Sequence, residues 1–319
     1  DTLTQMAAST RLTTIQNMNM KALLIAPSST KGKKNMIIIQ PKSGRSMEGL
    51  SFEEYLKLPE TNQSYIKTLI TKSPLHAQLG SKEETSSMSV GTLAHSIVFG
   101  ELIPEQDLAP YSGTRRGAAW ETFKVEAIES GKQPVTAKEF DTCSAMGQAI
   151  PDYVRSMIKD THKERTIQFD VLDLESEAIV KCKARIDIMD SSMIADYKTT
   201  SKGISPREFK SSIGKYYYDL QACWYRSAVM ALTGVELPFY WIVQESQAPY
   251  DVNIFEASPD LINNGKEFMN FGIQRYCQCL ADNDFHGHFK GSPVELDAPE
   301  WHIFDPELDT TNVKEVNDL

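Results

Sequence analysis

The 319-residue chain is 41% hydrophobic and 24% charged with a net charge of −10, a balance that excludes disordered, collagenous and disulfide-stapled proteins. No run approaches the roughly 18 apolar residues of a spanning helix, so no membrane partner is expected. Five cysteines are too sparse and too odd a count for a disulfide framework, which points to the cytoplasm.

The acidity is unevenly spread. Residues 1–50 carry seven basic side chains against two acids, a balance of +5, and residues 281–319 carry ten acids against two bases, a balance of −8. This divides the chain into a basic N-terminal arm or extension (1–50), a central domain (51–280) and an acidic, solvated tail (281–319). The start at Asp1 rather than Met reads as a piece trimmed from a longer chain. Within the arm, Met36-Ile37-Ile38-Ile39 is the one apolar stretch, and it has no helical repeat.

Helical signals begin after Ser51. A segment over 52–58 stops at Pro59, a second over 63–72 breaks at Ser73-Pro74, and a third covers 88–99. A helix over 118–130 ends on Gly131, and Thr136 with Glu139 forms a capping box that opens a run toward Ile158, divided at Pro151. The period then turns to alternation, the mark of a sheet. Strands are expected over 164–170, 180–188 and 193–199. In the middle one, Val180, Cys182, Ala184, Ile186 and Ile188 alternate with Lys181, Lys183, Arg185 and Asp187, putting the charges on one face. A helix opened by Ser205-Pro206, a longer one over 216–232, strands over 239–244 and 252–256, and a helix opened by Ser258-Pro259 complete the domain.

The 180–188 and 193–199 strands carry the chemistry. A four-residue turn over 190–193 pairs Met189 with Ile194, Ile188 with Ala195 and Asp187 with Asp196. Opposed residues of an antiparallel pair have β-carbons about 4.5–5.5 Å apart. Two carboxylates that close repel unless a cation joins them, and oxygen donors favour Mg2+ or Mn2+. Lys198 shares their face, so its ammonium can orient a water or stabilise developing charge, as phosphodiester hydrolysis requires. The competing reading is an Asp187–Lys198 salt bridge on a solvated strand. Glu164 offers a third carboxylate. Gly91 and His95 sit at i and i+4 on one helix, the glycine permitting close approach beside the imidazole, and Gln221 and Tyr225 share a face of another helix.

In chain order, Gly91-x-x-x-His95, Glu164, Arg185-Ile186-Asp187, Asp196-Tyr197-Lys198-Thr199-Thr200 and Gln221-x-x-x-Tyr225 resemble the PD-(D/E)XK nuclease superfamily, and more narrowly its RecE and RecB branch. Asn62-Gln63-Ser64-Tyr65 through Ser73-Pro74 is similar to the start of RecE-type exonuclease domains. The resemblance implies a restriction-endonuclease-like α/β core, a central mixed β-sheet flanked by helices, and a Mg2+-dependent 5′-to-3′ exonuclease acting on double-stranded DNA ends in recombination. It implies that Asp187, Asp196, Glu164 and the Tyr197 carbonyl hold metal, that His95 binds or borders a second ion, that Lys198 positions the attacking water, and that Gln221 and Tyr225 support the site. Asp196 stands where many members carry Glu, which keeps the charge and shortens the reach. Implied partners are DNA ends, further copies in a homo-oligomeric ring, and a single-strand annealing protein, in a bacterial or phage-infected cell.

Lys181, Lys183, Arg185, Arg115 and Arg116 are candidate DNA-phosphate contacts. A DNA-end-binding module without turnover and an endonuclease are the rival functions. The cysteines lack the spacing of a four-cysteine iron–sulfur site, and Cys277-x-Cys279 with His286 and His288 is a zinc candidate set against plain buried thiols.

Overall fold

The structure, a computed structural model, describes residues 23–25, 36–80, 86–289 and 291–299. At its centre an eight-stranded mixed sheet runs in the order β1 (Leu23–Ile25), β2 (Ile37–Ile39), β6 (His162–Asp173), β7 (Ile179–Met189), β8 (Ile194–Thr200), β9 (Phe239–Glu245) and β10 (Val252–Glu256). The short β3 (Arg45–Met47) shares the β6 edge with β2. The β8–β9 pair is parallel and the other pairs of this sheet are antiparallel. A separate parallel pair joins β4 (Leu108–Tyr111) and β5 (Gln133–Thr136).

The helices are α1 (Phe52–Lys57), α2 (Gln63–Thr71), α3 (Pro74–Leu79), α4 (Ser86–Val98), α5 (Pro104–Asp107), α6 (Ala118–Glu129), α7 (Ala137–Ala149), α8 (Asp152–Ile158), α9 (Pro206–Tyr216), α10 (Tyr218–Thr233) and α11 (Pro259–Asp282). Local chemistry sets their starts. Ser51 with Glu54, Thr136 with Glu139, and Ser205 with Glu208 each close a reciprocal capping box, and proline occupies the first turn of α9 and α11. Among the described residues no helix is long and apolar enough to cross a membrane.

Two apolar clusters sandwich the sheet. On one side Leu220 and Trp224 of α10 pack on Ile167, Phe169, Ala184 and Trp241, and the Trp224 indole N–H donates to the Lys183 carbonyl at 3.0 Å. Helix α11 backs α10 at very close range, because a Cβ on Gly265 would lie 2.2 Å from the Asp219 carbonyl oxygen. On the other side Ala94 of α4 and Met146 of α7 pack with Ile188, Ala195 and Ile242.

Three sequence expectations are corrected here. Residues 37–39 and 45–47, assigned to an arm, are strands of the main sheet, with Ile37 and Ile39 fully buried against β6. Strands β4 and β5, of four residues each, went unnoticed because so short a segment shows no period. Ile188 does not share the surroundings of Val180 to Ile186: it joins the second cluster, whereas the others join the first. The basic residues Arg11, Lys21, Lys31, Lys33 and Lys34, and residues 300–319 of the tail, lie outside the described residues.

Candidate active site

The β7–β8 turn forms as its composition requires. Asp190 Oδ1 accepts from the Ser192 and Met193 backbone N–H groups at 2.6 and 2.9 Å, and Met189 pairs with Ile194 and Ile188 with Ala195. The ladder stops there. Asp187 and Asp196 are the next opposed positions but are not paired, and Asp187 has no backbone partner across β6 either, since pairing skips from Lys163–Ile188 to Arg165–Ile186. Its carboxylate fills part of the gap: Oδ2 accepts from the Tyr197 backbone N–H at 3.2 Å.

Parting of the strands brings the two helical layers together at one point. Glu164, which faces Asp187 across β6 and β7, has a left-handed backbone with φ of +53°, an uncommon conformation for a non-glycine residue and one found at functional sites. From α4, His95 Nε2 lies 3.0 Å from Glu164 Oε1 and 3.4 Å from Asp187 Oδ2. The imidazole packs on Phe99, ring centroids 4.0 Å apart. Gly91 brings the helix in close, since a Cβ there would stand 3.2 Å from Thr199 Oγ1 on β8. Ligand atoms of His95, Glu164 and Asp187 fall within 4.8 Å of one another.

Asp196 lies outside that trio. Its Oδ2 is 2.5 Å from Lys198 Nζ and its Oδ1 accepts from Gln221 Nε2 at 2.8 Å, while the same amide reaches the Tyr225 hydroxyl at 3.2 Å. The Lys198 ammonium also sits 5.0 Å from the centre of the Tyr218 ring. Asp187 turns toward Glu164 and His95, and Asp196 toward the lysine.

Negative charge is crowded here. Burial first, and then repulsion from Asp187, raise Glu164 and push Asp196 up to about 7. Burial would lower the Lys198 pKa, but Asp196 and Asp187 outweigh it and raise it, so the side chain remains an ammonium. His95 is likewise raised, its carboxylate neighbours overcoming desolvation. Asp187 is held low because His95, Lys198 and the Tyr197 N–H overcome its burial. A group of anionic oxygens and one imidazole nitrogen, with carboxylates pushed toward protonation, suits a hard divalent cation.

These residues line a cleft of about 910 Å³. Of the residues suggested as phosphate contacts, Lys181 is exposed, but Lys183 is 3% exposed and its Nζ donates to the carbonyls of Tyr55 and Leu58 at 2.9 and 2.7 Å. It caps α1 and is not free for DNA. Arg185 is also engaged, with Glu164 through Nε and with the Leu50 carbonyl at 2.8 Å through Nη1. Arg115 pairs with Glu139 at 2.6 Å, and neither it nor Arg116 lines the cleft. All five cysteines are free and buried, so Cys277 and Cys279 read as core thiols.

Sequence reasoning missed Gln244. Fully buried, it accepts from the Tyr197 hydroxyl at 2.5 Å and donates to the carbonyls of Met146 and Tyr250, fixing the ring behind His95 and Phe99. A lone Gln in an apolar strand was its only signal.

Residues 64–288 match the family described as PDDEXK-like domain of unknown function (DUF3799). The chain belongs to this family. The PDDEXK-like match covers the strands that carry Glu164, Asp187, Asp196 and Lys198, while β2, β3 and α1 precede it. Among solved structures, a protein of Eubacterium rectale proposed to be an exonuclease superposes with a TM-score of 0.55 at 15% identity, over 79% of this chain and 96% of that one, which shows a shared fold. A second, SSO0001, overlaps with a TM-score of 0.26 at 10% identity, over 66% of this chain and 85% of that one, and carries no argument. No protein of curated function matches the sequence.

Proposed function

We propose that the protein is a divalent-metal-dependent deoxyribonuclease that hydrolyses phosphodiester bonds from the ends of duplex DNA, 5′ to 3′, in recombination, using one or two Mg2+ or Mn2+ ions. The observation that carries this reading is the convergence of His95, Glu164 and Asp187 within 4.8 Å, beside the Asp196–Lys198 pair in the same cleft. His95, Glu164 and Asp187 would hold the cation, with Asp196 and the Tyr197 carbonyl as adjoining oxygen donors. When bound, such an ion supplies Lewis acidity toward phosphate oxygen and water.

The chain's own groups do the rest. Asp196 holds the Lys198 ammonium in place, so that Nζ can orient the attacking water and donate to a phosphate oxygen as charge develops on it. Gln221 fixes the other oxygen of Asp196, and Tyr225 fixes Gln221. Arg185 holds Glu164 toward His95. We further propose the ring of identical copies, the annealing-protein partner and the cytoplasm of a bacterial or phage-infected cell, all on the strength of the RecE-type resemblance.

The test is incubation of linear and closed circular duplex DNA with Mg2+. Linear DNA should lose a 5′ label as nucleotides while circles survive. Lys198→Ala should slow release by roughly 10²–10³-fold, and chelation should stop it. Intact linear DNA at high protein concentration with both Mg2+ and Mn2+ would leave a binding module, and cut circles an endonuclease.

A further inference from the structure

The cleft has an apolar side that hydrolysis does not use. Phe52 and Leu56 of α1 line it while 57% and 53% exposed, and Tyr216 at the end of α9 lines it while 41% exposed. The aromatic rings come in two pairs. Phe52 stacks on Tyr55 with centroids 6.2 Å apart and planes at 22°, and Tyr216 stacks on Tyr218 at 5.5 Å and 30°. The first pair is tied to β7, since the Lys183 ammonium lies 4.8 Å from the Tyr55 ring; the second is tied to β8, where Lys198 meets Tyr218.

Helix α1 is held far more firmly than its six residues alone would allow, because so short a helix is unstable in water. Lys183 donates to the carbonyls at its C-terminal end, Arg185 grips the Leu50 carbonyl just before its N-terminal end, and the Thr61 backbone bonds to Lys181 and Lys183. The strand that carries Asp187 thus fixes the apolar wall relative to the acidic cluster. A rigid surface loses less entropy when a ligand covers it.

The occupant follows from what each part of DNA presents. Intact duplex shows phosphates and base edges, its base faces being stacked on one another. Exposed aromatic faces therefore gain nothing from it. Separated bases offer free faces, which stack on aromatic side chains, while Lys198 and Lys202 in the same cleft suit the phosphates of that strand. We propose that Phe52 and Leu56, with Tyr216, form a stacking platform for unpaired nucleobases, so that the site takes a strand end whose terminal bases have left the duplex. This rests on the nuclease reading and names its substrate. Phe52 and Leu56 precede residues 64–288 and so lie outside the family match, whereas Tyr216 lies within it.

Fluorescence anisotropy of the full chain tests it, with Ca2+ present to occupy the carboxylates. The probes are a labelled oligothymidine and a labelled blunt hairpin duplex. The single strand should bind more tightly. Phe52→Ala should weaken it by roughly tenfold, the size of one base–aromatic stack, with little change for the hairpin, and Phe52→Trp should restore it. Unchanged single-strand affinity in Phe52→Ala overturns the platform and leaves the nuclease reading standing. Loss of self-association in Phe52→Ala, by sedimentation, without loss of affinity would make α1 a contact between copies and equally overturns it. Absence of binding to either DNA would bring down both readings.

Discussion

Raising the pH in the absence of divalent cations should weaken this fold, opposite to what salt-bridged carboxylates do. Burial and Asp187 raise Glu164 and push Asp196 up to about 7, and the surrounding carboxylates raise His95 against its desolvation. Each group holds its proton more tightly folded than unfolded. Its contribution is therefore complete below the unfolded pKa and is lost as pH rises through the folded one. For Asp196 that window runs from about 4 to about 7, and for His95 it lies above 6.5. Asp187 is shifted the other way and acts below 3.8, outside the window, and Lys198 acts above 10.5.

An excess of one bound proton in the folded state costs about 1.4 kcal/mol per pH unit, or about 3 kcal/mol between pH 5 and 7. For a chain this long, each kcal/mol moves the Tm by about 1–2 °C, so the Tm in EDTA should fall by about 3–6 °C over that range. Added Mg2+ or Mn2+ replaces those protons, so the stabilisation it gives should grow with pH. Thermal melts at pH 5, 6 and 7, with EDTA and with cation, read both effects. Asp187→Asn should flatten the slope by removing the main charge that repels Asp196 and Glu164. A Tm that is level or rising in EDTA, or a cation effect independent of pH, would refute the reasoning.

Two structural substitutions complete the set. Gln244→Leu strips the Tyr197 hydroxyl, the buried Met146 carbonyl and the half-buried Tyr250 carbonyl of their partner. It should cost on the order of 2 kcal/mol in urea denaturation, and a loss under about 0.5 kcal/mol would deny its positioning role. Lys183→Met keeps the length of the side chain but abandons the carbonyls of Tyr55 and Leu58. It should speed amide hydrogen exchange over residues 50–58 well before global unfolding, and unaltered exchange there would show that α1 is held by something else.

Much of this was legible because it depends on near neighbours. The capping box at Thr136 and the N-cap and proline at Ser205-Pro206 act over at most three residues, and the register of β7 on β8 follows from one turn whose Asp190 satisfies the backbone groups beyond it. Alternation in β7 was read correctly as far as Ile186. It failed at the left-handed Glu164, where pairing with β7 is interrupted, and no side-chain pattern signals that conformation. Lys183 was misjudged for a different reason. Period two says which way a side chain points but not what covers that face, and here α1 covers it with open carbonyls.

Sequence alone therefore determined the helices and strands flanking the turn and the placing of Asp187 and Asp196 at opposed positions, since these are set by caps, periods and one short hairpin, while the mixed sheet was implied by the superfamily resemblance. Only the tertiary structure decided that Glu164 faces Asp187, that His95 joins them from α4, and that Asp196 turns to Lys198 and Gln221. Those meetings bring together residues distant in the chain. They depend on β7 and β8 parting, which lets side chains from both helical layers reach one point.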